Sequence, residues 1–354
     1  MKIYGRILFF TGIIILHNFT DAYSQADSSF RKKIISGTEL SGKWYLNSKY
    51  DISEKSNKFS LKRGYITLKS KLSDRISVRY TQDITIDSEG NDAGNVEIRM
   101  KYIYMKLKPF KNGILKNSYA ELGLAHRPFV DFEQHINEYR SQGKMFIEKT
   151  GIVNTADFGI LYEGLIGKRK KNKDGKYGSF AVGIYNGGGY HKFENNNNKT
   201  LEGRITLKPF PNTLNNLQIT YAGIAGKGNT ALSHDFIMNL IMLSYNNSHY
   251  VLTGQYYFGR GDYQGIYLNE YGFAAKNKGW STFAEFKIPE TSFAIFGRYD
   301  NFESDTSSGY YKSGYFAGIS YRFLKNKIFA YYGQDTSENN TKKEVFEIVL
   351  DINF

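Results

Sequence analysis

Residues 344–354 read EVFEIVLDINF, with Phe346, Ile348, Leu350, Ile352 and Phe354 on one face of an extended chain and Glu347, Asp351 and Asn353 on the other. Alternation of this kind marks a strand with one apolar side. Terminal residues fray unless something holds them, so a chain that finishes this way predicts a neighbouring strand for the last one to pair with.

The pattern repeats upstream. Ile76, Val78, Tyr80, Ile84 and Ile86 oppose Arg75, Ser77, Arg79, Thr81, Asp83 and Thr85, and Val96, Ile98, Met100, Tyr102 and Tyr104 oppose Glu97, Arg99 and Lys101. Leu201, Ile205 and Leu207 oppose Glu202, Arg204, Thr206 and Lys208; Phe293, Ile295 and Tyr299 oppose Ser292, Arg298 and Asp300. Tyr315, Ile319, Tyr321 and Phe323 oppose Lys312, Ser320 and Arg322. The strand at 58–70 changes phase, because Phe59 and Leu61 share one face and Ile66 and Leu68 the other, which predicts a bulge near Arg63 and Gly64. Short connections such as 246–248 and 325–327 alternate with longer polar ones such as 87–95, 187–199 and 259–277.

Each strand runs roughly 10 residues or more, the length a tilted strand needs to cross a bilayer. About 16 are expected. Versions with about 14 or 18 strands stay open, because residues 266–275 are assigned to a loop and the long KRKKNKDGKYG segment, 168–178, to the side of the short turns. The fold class read here is all-β, a transmembrane antiparallel barrel. A soluble sandwich or β-helix is the competing reading, but its strands usually run only about 5 or 6 residues. Aromatics at the stripe ends (Tyr102 and Tyr104, Trp280, Tyr321 and Phe323, Phe354) suit the headgroup level of a membrane. Closing the last strand on the first leaves no unpaired backbone edge in lipid.

Composition agrees. The chain is 16% aromatic with 35 Gly and only 5 Pro, a mixture that suits strands and tight turns. Residues 1–24 read as a secretory signal peptide: Lys2 and Arg6 precede the apolar run Ile7 to Leu16, and Ala22 and Ser24 hold the small-residue positions before Gln25. A membrane anchor is the weaker alternative, since Asn18, Thr20 and Asp21 interrupt the run too soon. Residues 25–354 then form the barrel, and with no Cys in the chain no disulfide supports it.

If the apolar stripes meet lipid, the charged stripes line the interior. A basic residue facing lipid at mid-membrane costs about 2–4 kcal/mol, so Arg75, Arg79, Arg99, Lys101, Arg204, Lys208, Arg298 and Arg322 are expected to face inward. Acids share those faces, and the residues alone leave open whether the wall is a neutral set of ion pairs or an anion path. A barrel of this size encloses a wide bore. Residues 127–155, RPFVDFEQHINEYRSQGKMFIEKTGIVNT, are too long and apolar for a free loop, and Phe129, Phe132, Ile136 and Tyr139 recur at near-helical spacing. A short helix inside the bore is predicted there, bringing Arg127, Arg140 and Lys144 to a constriction with Asp131, Glu133, Glu138 and Glu148 opposite. The alternative is an outward loop packed on a neighbouring barrel.

KFSLKRGYITLK, RISVRYTQDITID, EIRMKYIYMKLKPF, AELGLAHRPFVDFEQHINEYR and the final FEIVLDINF resemble the phosphate-selective porin O and P family in the form seen in Bacteroidetes-type bacteria. The resemblance implies a bacterial outer-membrane location, a trimeric barrel of 16 strands and passage of phosphate or other anions. It also implies a third outer loop folded into the pore, which falls here on 127–155, and a conducting wall that includes Arg63, Arg75, Arg79 and Arg99. The loop holds about as many acids as bases, unlike the family's anion-selective archetypes. The expected activity is therefore passive diffusion of small hydrophilic solutes with some preference for anions, with no cofactor, no metal and no nucleic-acid partner. Outer-membrane lipid and lipopolysaccharide are expected to surround the barrel, with Lys and Arg on its surface meeting lipid phosphates. The alternatives carried are a barrel enzyme on the outer loops, for which His126 and His135 with Glu133 and Glu138 lack a metal-site spacing, and a plugged structural or adhesive barrel.

Overall fold

The computed structural model describes residues 37–87, 91, 93–110, 112–113, 115–167, 175–190, 192–307, 309–337 and 341–354. The predicted signal peptide and residues 168–174 of the basic turn lie outside them. The first eight strands are β1 (Thr38–Asp51), β2 (Ser56–Lys71), β3 (Ile76–Ile86), β4 (Val96–Leu107), β5 (Ser118–His126), β6 (Ala156–Ile166), β7 (Gly178–Tyr185) and β8 (Thr200–Leu207). The remaining ones are β9 (Leu217–Lys227), β10 (Asp235–Asn246), β11 (Tyr250–Arg260), β12 (Lys276–Lys287), β13 (Phe293–Ser304), β14 (Tyr310–Phe323), β15 (Asn326–Ser337) and β16 (Lys342–Asn353). Two short helices, α1 (Val130–Ile136) and α2 (Phe146–Lys149), interrupt the β5–β6 connection.

All 16 strands pair with their sequence neighbours, and β1 pairs with β16 to close the ring. The closing register runs from Lys43 opposite Asn353 to Asp51 opposite Val345. Gly42 and Phe354 exchange both backbone hydrogen bonds, at 2.9 and 3.1 Å. A side chain at Gly42 would meet the Phe354 ring at 2.1 Å, so the glycine makes room for that aromatic. The ring stacks on Trp44 with centroids 6.4 Å apart, so the terminal strand finds the partner its pattern demands. Both ends of the described chain lie at one rim, called here the terminal rim, with the β4–β5 and β8–β9 connections; the β5–β6, β7–β8 and β11–β12 connections, which are longer, sit at the opposite, loop rim.

Two bulges set which side chains face inward. Between β1 and β2 the register slips at Tyr45/Leu46, leaving Lys62 as the extra residue. Phe59 and Leu61 therefore face out on one side of the slip, and Ile66 and Leu68 on the other, as their phase change requires. The second bulge was not anticipated: Thr81 pairs with Tyr102 but Gln82 with Met100, so Lys101 is the extra residue in β4. It corrects the sequence reading, because Tyr102 and Tyr104 turn inward and are buried at 4% and 6% exposure instead of meeting headgroups. The outward aromatics that remain gather toward the strand ends: Tyr250–Phe286, Phe293–Tyr321 and Trp44–Phe354 near the terminal rim, Trp280–Tyr299 and Tyr315–Tyr332 nearer the loop rim.

Candidate channel and constriction

The loop between β5 and β6 folds into the bore and divides it. On one side it is apolar. Phe129, Val130, Ile136, Tyr139, Phe146, Ile147, Ile152 and Val153 pack against inward side chains of β9–β16, among them Phe236, Met238, Leu240, Met242, Phe283, Phe296, Phe302, Phe316 and Phe329. Tyr139 stacks on Phe296 with centroids 4.1 Å apart, and its hydroxyl is 2.7 Å from both Glu285 and Ser320. The charge alternation read along these strands is therefore only part of their inner face.

Polar bonds hold the loop at both roots. The Arg127 guanidinium, 1% exposed, donates Nε to both carboxylate oxygens of Glu202 at 2.9 and 3.0 Å, adds an Nη2 bond to the same group, and reaches Asn154 at 3.2 Å. Arg204 donates to the Pro128 carbonyl at 2.8 Å and to Glu163 at 2.9 Å, while Phe132 covers its guanidinium at 4.1 Å. Arg298 is bound to Asp300 at 2.6 Å and to the Lys144 carbonyl at 2.9 Å. Inside this seam Glu133 accepts a bond from Gln255 at 2.6 Å and leaves Oε2 without a partner. Burial pushes its carboxyl above the ordinary glutamate range.

The other side of the loop is polar and faces β1–β5. Between them lies a cavity of about 940 Å³ that runs from Ser41, Ser77 and Asn353 at the terminal rim up to Asp131, Glu138 and Arg140 of the loop. Lys43, Lys69, Arg79, Lys101, Lys106, Arg140, Arg322, Lys325 and Lys327 line it, nine bases against the five acids Glu121, Asp131, Glu138, Glu163 and Asp351. Several of these bases are held by aromatic faces. Lys101 sits 4.5 Å from the Tyr65 ring centre and donates to that hydroxyl at 3.2 Å; Arg79 lies 4.6 Å from Tyr102 and Lys327 3.8 Å from Tyr139, while Lys106, 3.8 Å from Tyr119, also pairs with Glu121 at 2.9 Å. Cation–π contacts fix a cation without cancelling its charge. Arg79 also donates to His126 Nε2 at 3.0 Å, and since arginine only donates, that nitrogen accepts and Nδ1 carries the proton toward Glu121 at 2.7 Å.

Above the constriction, Arg63 and Arg99 share the buried Asp83 carboxylate at 2.6 and 3.3 Å.

Comparison with known proteins follows this geometry. No protein-family model and no curated protein matches the chain. Solved structures do: the anion-selective porin from Comamonas acidovorans matches with TM-score 0.61 at 10% identity, over 90% of this chain and 99% of that one. Salmonella typhi OmpF, in a complex with daunomycin, gives 0.63 at 11% identity over 90% and 97%, and a loop L8 deletion mutant of Vibrio cholerae OmpT gives 0.59 at 13% over 90% and 99%. This is the porin fold.

Within that fold the residues singled out from the sequence fall into separate groups. Arg79, Lys101 and Arg322 line the cavity with Asp131, Glu138 and Arg140. Arg127, Arg204 and Arg298 face inward but are sealed under or at the roots of the loop, with side chains 1–3% exposed, which corrects their assignment to an open wall or constriction. Arg75 and Lys208 are a second correction: each lies just outside its strand at the terminal rim, because β3 begins at Ile76 and β8 ends at Leu207. Glu133 points into the apolar seam instead of the constriction, and Lys144 is exposed at the far side of the loop with its carbonyl on Arg298. Lys43, Lys69, Lys106, Lys325 and Lys327 were missed. Lys106 was legible in principle, since the Lys101 bulge puts it in phase with Tyr102 and Tyr104.

Proposed function

We propose that the chain is a porin of the bacterial outer membrane, giving passive diffusion of small hydrophilic solutes through an off-centre channel along β1–β5, with a preference for anions that include phosphate. The observation that carries this reading is the cavity's lining of nine bases and five acids, in which Lys106, Arg140 and Arg322 are ion-paired while Arg79, Lys101 and Lys327 are held by tyrosine faces instead of carboxylates. A low-dielectric wall with surplus positive charge concentrates anions and repels cations. The resemblance to phosphate-selective porins and the likeness to an anion-selective porin support the same preference. Assembly as a homotrimer is part of the proposal, supported by the trimer form of Vibrio cholerae OmpT among similar structures.

Planar-bilayer recording tests the reading. Under a salt gradient, discrete openings with a reversal potential displaced to the anion side are expected, and added phosphate should reduce the chloride current. A protein that inserts yet stays silent would sink the channel and favour the plugged barrel, the second reading, which the filled half of the bore supports. Conduction with cation preference would sink the selectivity alone.

A further inference from the structure

The outer wall carries a feature that the channel does not use. At the loop rim of β9–β12, basic side chains stand on adjacent outward positions. Arg260 pairs directly across the sheet with Lys276, Lys278 sits opposite Phe258 one rung lower, and Lys227 begins the row opposite Asp235. Three of these four bases touch a carboxylate: Asp235 is 2.7 Å from Lys227 and 3.3 Å from Arg260, and Glu303 is 3.0 Å from Lys278, so the four bases outnumber the two acids by two. Outside this sector, β16 carries an exposed outward base at the same rim, Lys342. Among the described residues, the outward rim positions of β1–β8 are instead apolar and exposed, as at Tyr50, Ile86, Val96, Phe158, Ile184 and Leu201.

Below the row the same strands continue the site. Trp280 faces Tyr256 on the next outward rung, at the level where aromatics meet headgroups. Directly beneath that pair is an apolar groove of about 590 Å³ in the lipid-facing wall. It exists because Gly254, Ala284 and Gly297 project little or nothing, and nothing stands within 4 Å of where a Gly254 side chain would begin. Charge, aromatic rung and groove are thus stacked in the order of a lipid's phosphate, interface and acyl chains.

We infer that this sector is a fixed binding site for a phosphorylated, multiply acylated lipid of the external leaflet, of the lipid A type. The inference rests on the membrane orientation proposed above. Lys276 and the half-exposed Arg260, through the guanidinium donors not turned to Asp235, take the phosphate, whose oxygens match their donors, and an acyl chain lies in the groove over Gly254. A nonspecific headgroup belt would ring the barrel evenly, whereas these adjacent bases stand above the groove and the rim of β1–β8 is apolar.

The test is native mass spectrometry of the detergent-solubilised protein titrated with lipid A and with the same lipid lacking its phosphates. Replacing Arg260, Lys276 and Lys278 together by Gln is expected to weaken lipid A binding at least about tenfold, each basic residue near an anionic surface being worth roughly 1 kcal/mol. Gly254→Leu, which fills the groove without touching charge, should also reduce binding, and both variants should conduct as the parent does. Equal retention of the dephosphorylated lipid, or unchanged binding by the triple variant, would overturn the site. So would a Gly254→Cys variant that cross-links to a second copy in membranes, which would assign the groove to another barrel. A protein that binds lipid A but never conducts would sink the channel reading and leave this site standing.

Discussion

The inner faces of β1–β5 and of β9–β16 belong to one barrel, share the same apolar outer stripe, and are built for opposite environments. The first presents tyrosines, lysines and arginines to a cavity; the second presents Phe, Met and Leu side chains to the apolar face of a loop and reaches the cavity only toward the terminal rim, at Arg322, Lys327 and Asp351. Position on the inward side of a strand therefore does not make a residue part of a channel. What decides is whether the loop covers it. Arg204 and Arg298, covered by the loop, serve as anchors, whereas Arg79 on the open side stays partly exposed to the cavity.

The largest effect is expected where the two halves are joined. Arg127→Met leaves Glu202 buried and unpaired at the loop root, and breaking a buried pair from one side costs roughly 3–5 kcal/mol. The denaturant midpoint should move to lower concentration, by that free energy divided by the m-value. Single channels should become noisier as the loop loosens, and Arg127→Met combined with Glu202→Leu should recover much of the loss. An unchanged transition would mean that the apolar seam alone fixes the loop. Next in size is the contrast between covered and open bases. Arg79→Glu reverses a charge partly exposed to the cavity and should displace the reversal potential strongly toward cations. Arg298→Gln removes a sealed charge and should lower stability while leaving selectivity nearly as it was. Equal selectivity shifts from both would erase the proposed division.

How far the sequence disclosed this arrangement differs between the two faces of the wall. The outer face was legible because lipid demands apolar side chains at every second residue, so Ile76, Val78 and Tyr80 or Ile348, Leu350 and Ile352 read directly. Phase slips were legible only where the outer stripe itself jumped, as between Leu61 and Ile66. At Lys101 the bulge is hidden, since Tyr102 and Tyr104 continue an aromatic alternation that fits either face. The inner face of β9–β16 depends on what packs against it, which no strand records alone. One signal was present: in FIMNLIMLSY, residues 236–245, both parities are apolar, Phe236, Met238, Leu240 and Met242 as well as Ile237, Ile241 and Leu243. A strand greasy on both sides faces lipid outside and a filled core inside.

A smaller effect should appear with pH. Glu133 is buried in the seam, bonded to the neutral Gln255, with Arg298 already held by Asp300 and Glu148 by Arg140. Burial raises its folded carboxyl above the unfolded value, so the folded state binds the proton more tightly. The seam is then most stable below the ordinary glutamate value and loses stability as pH rises through the window above it, where the unfolded chain has already released the proton. Open-channel noise should grow from mildly acidic to mildly alkaline conditions. Glu133→Gln should flatten that dependence, and a dependence that persists in this variant would place the responsible group elsewhere.

The smallest effect is a deliberate near-zero. Arg75 has the inward parity of Arg79 and would be the next base along the same path if parity alone defined the channel. It lies instead in the β2–β3 turn, exposed at the terminal rim, outside the cavity that Arg79 lines. A charge in open solvent is screened over about 8 Å at physiological ionic strength, so Arg75→Gln should leave the reversal potential within error of the parent at moderate salt. A small change is expected only when the bath is diluted and screening weakens. A shift at moderate salt comparable to that of Arg79→Gln would extend the selective region to the mouth, and the boundary drawn between wall and turn would have to move with it.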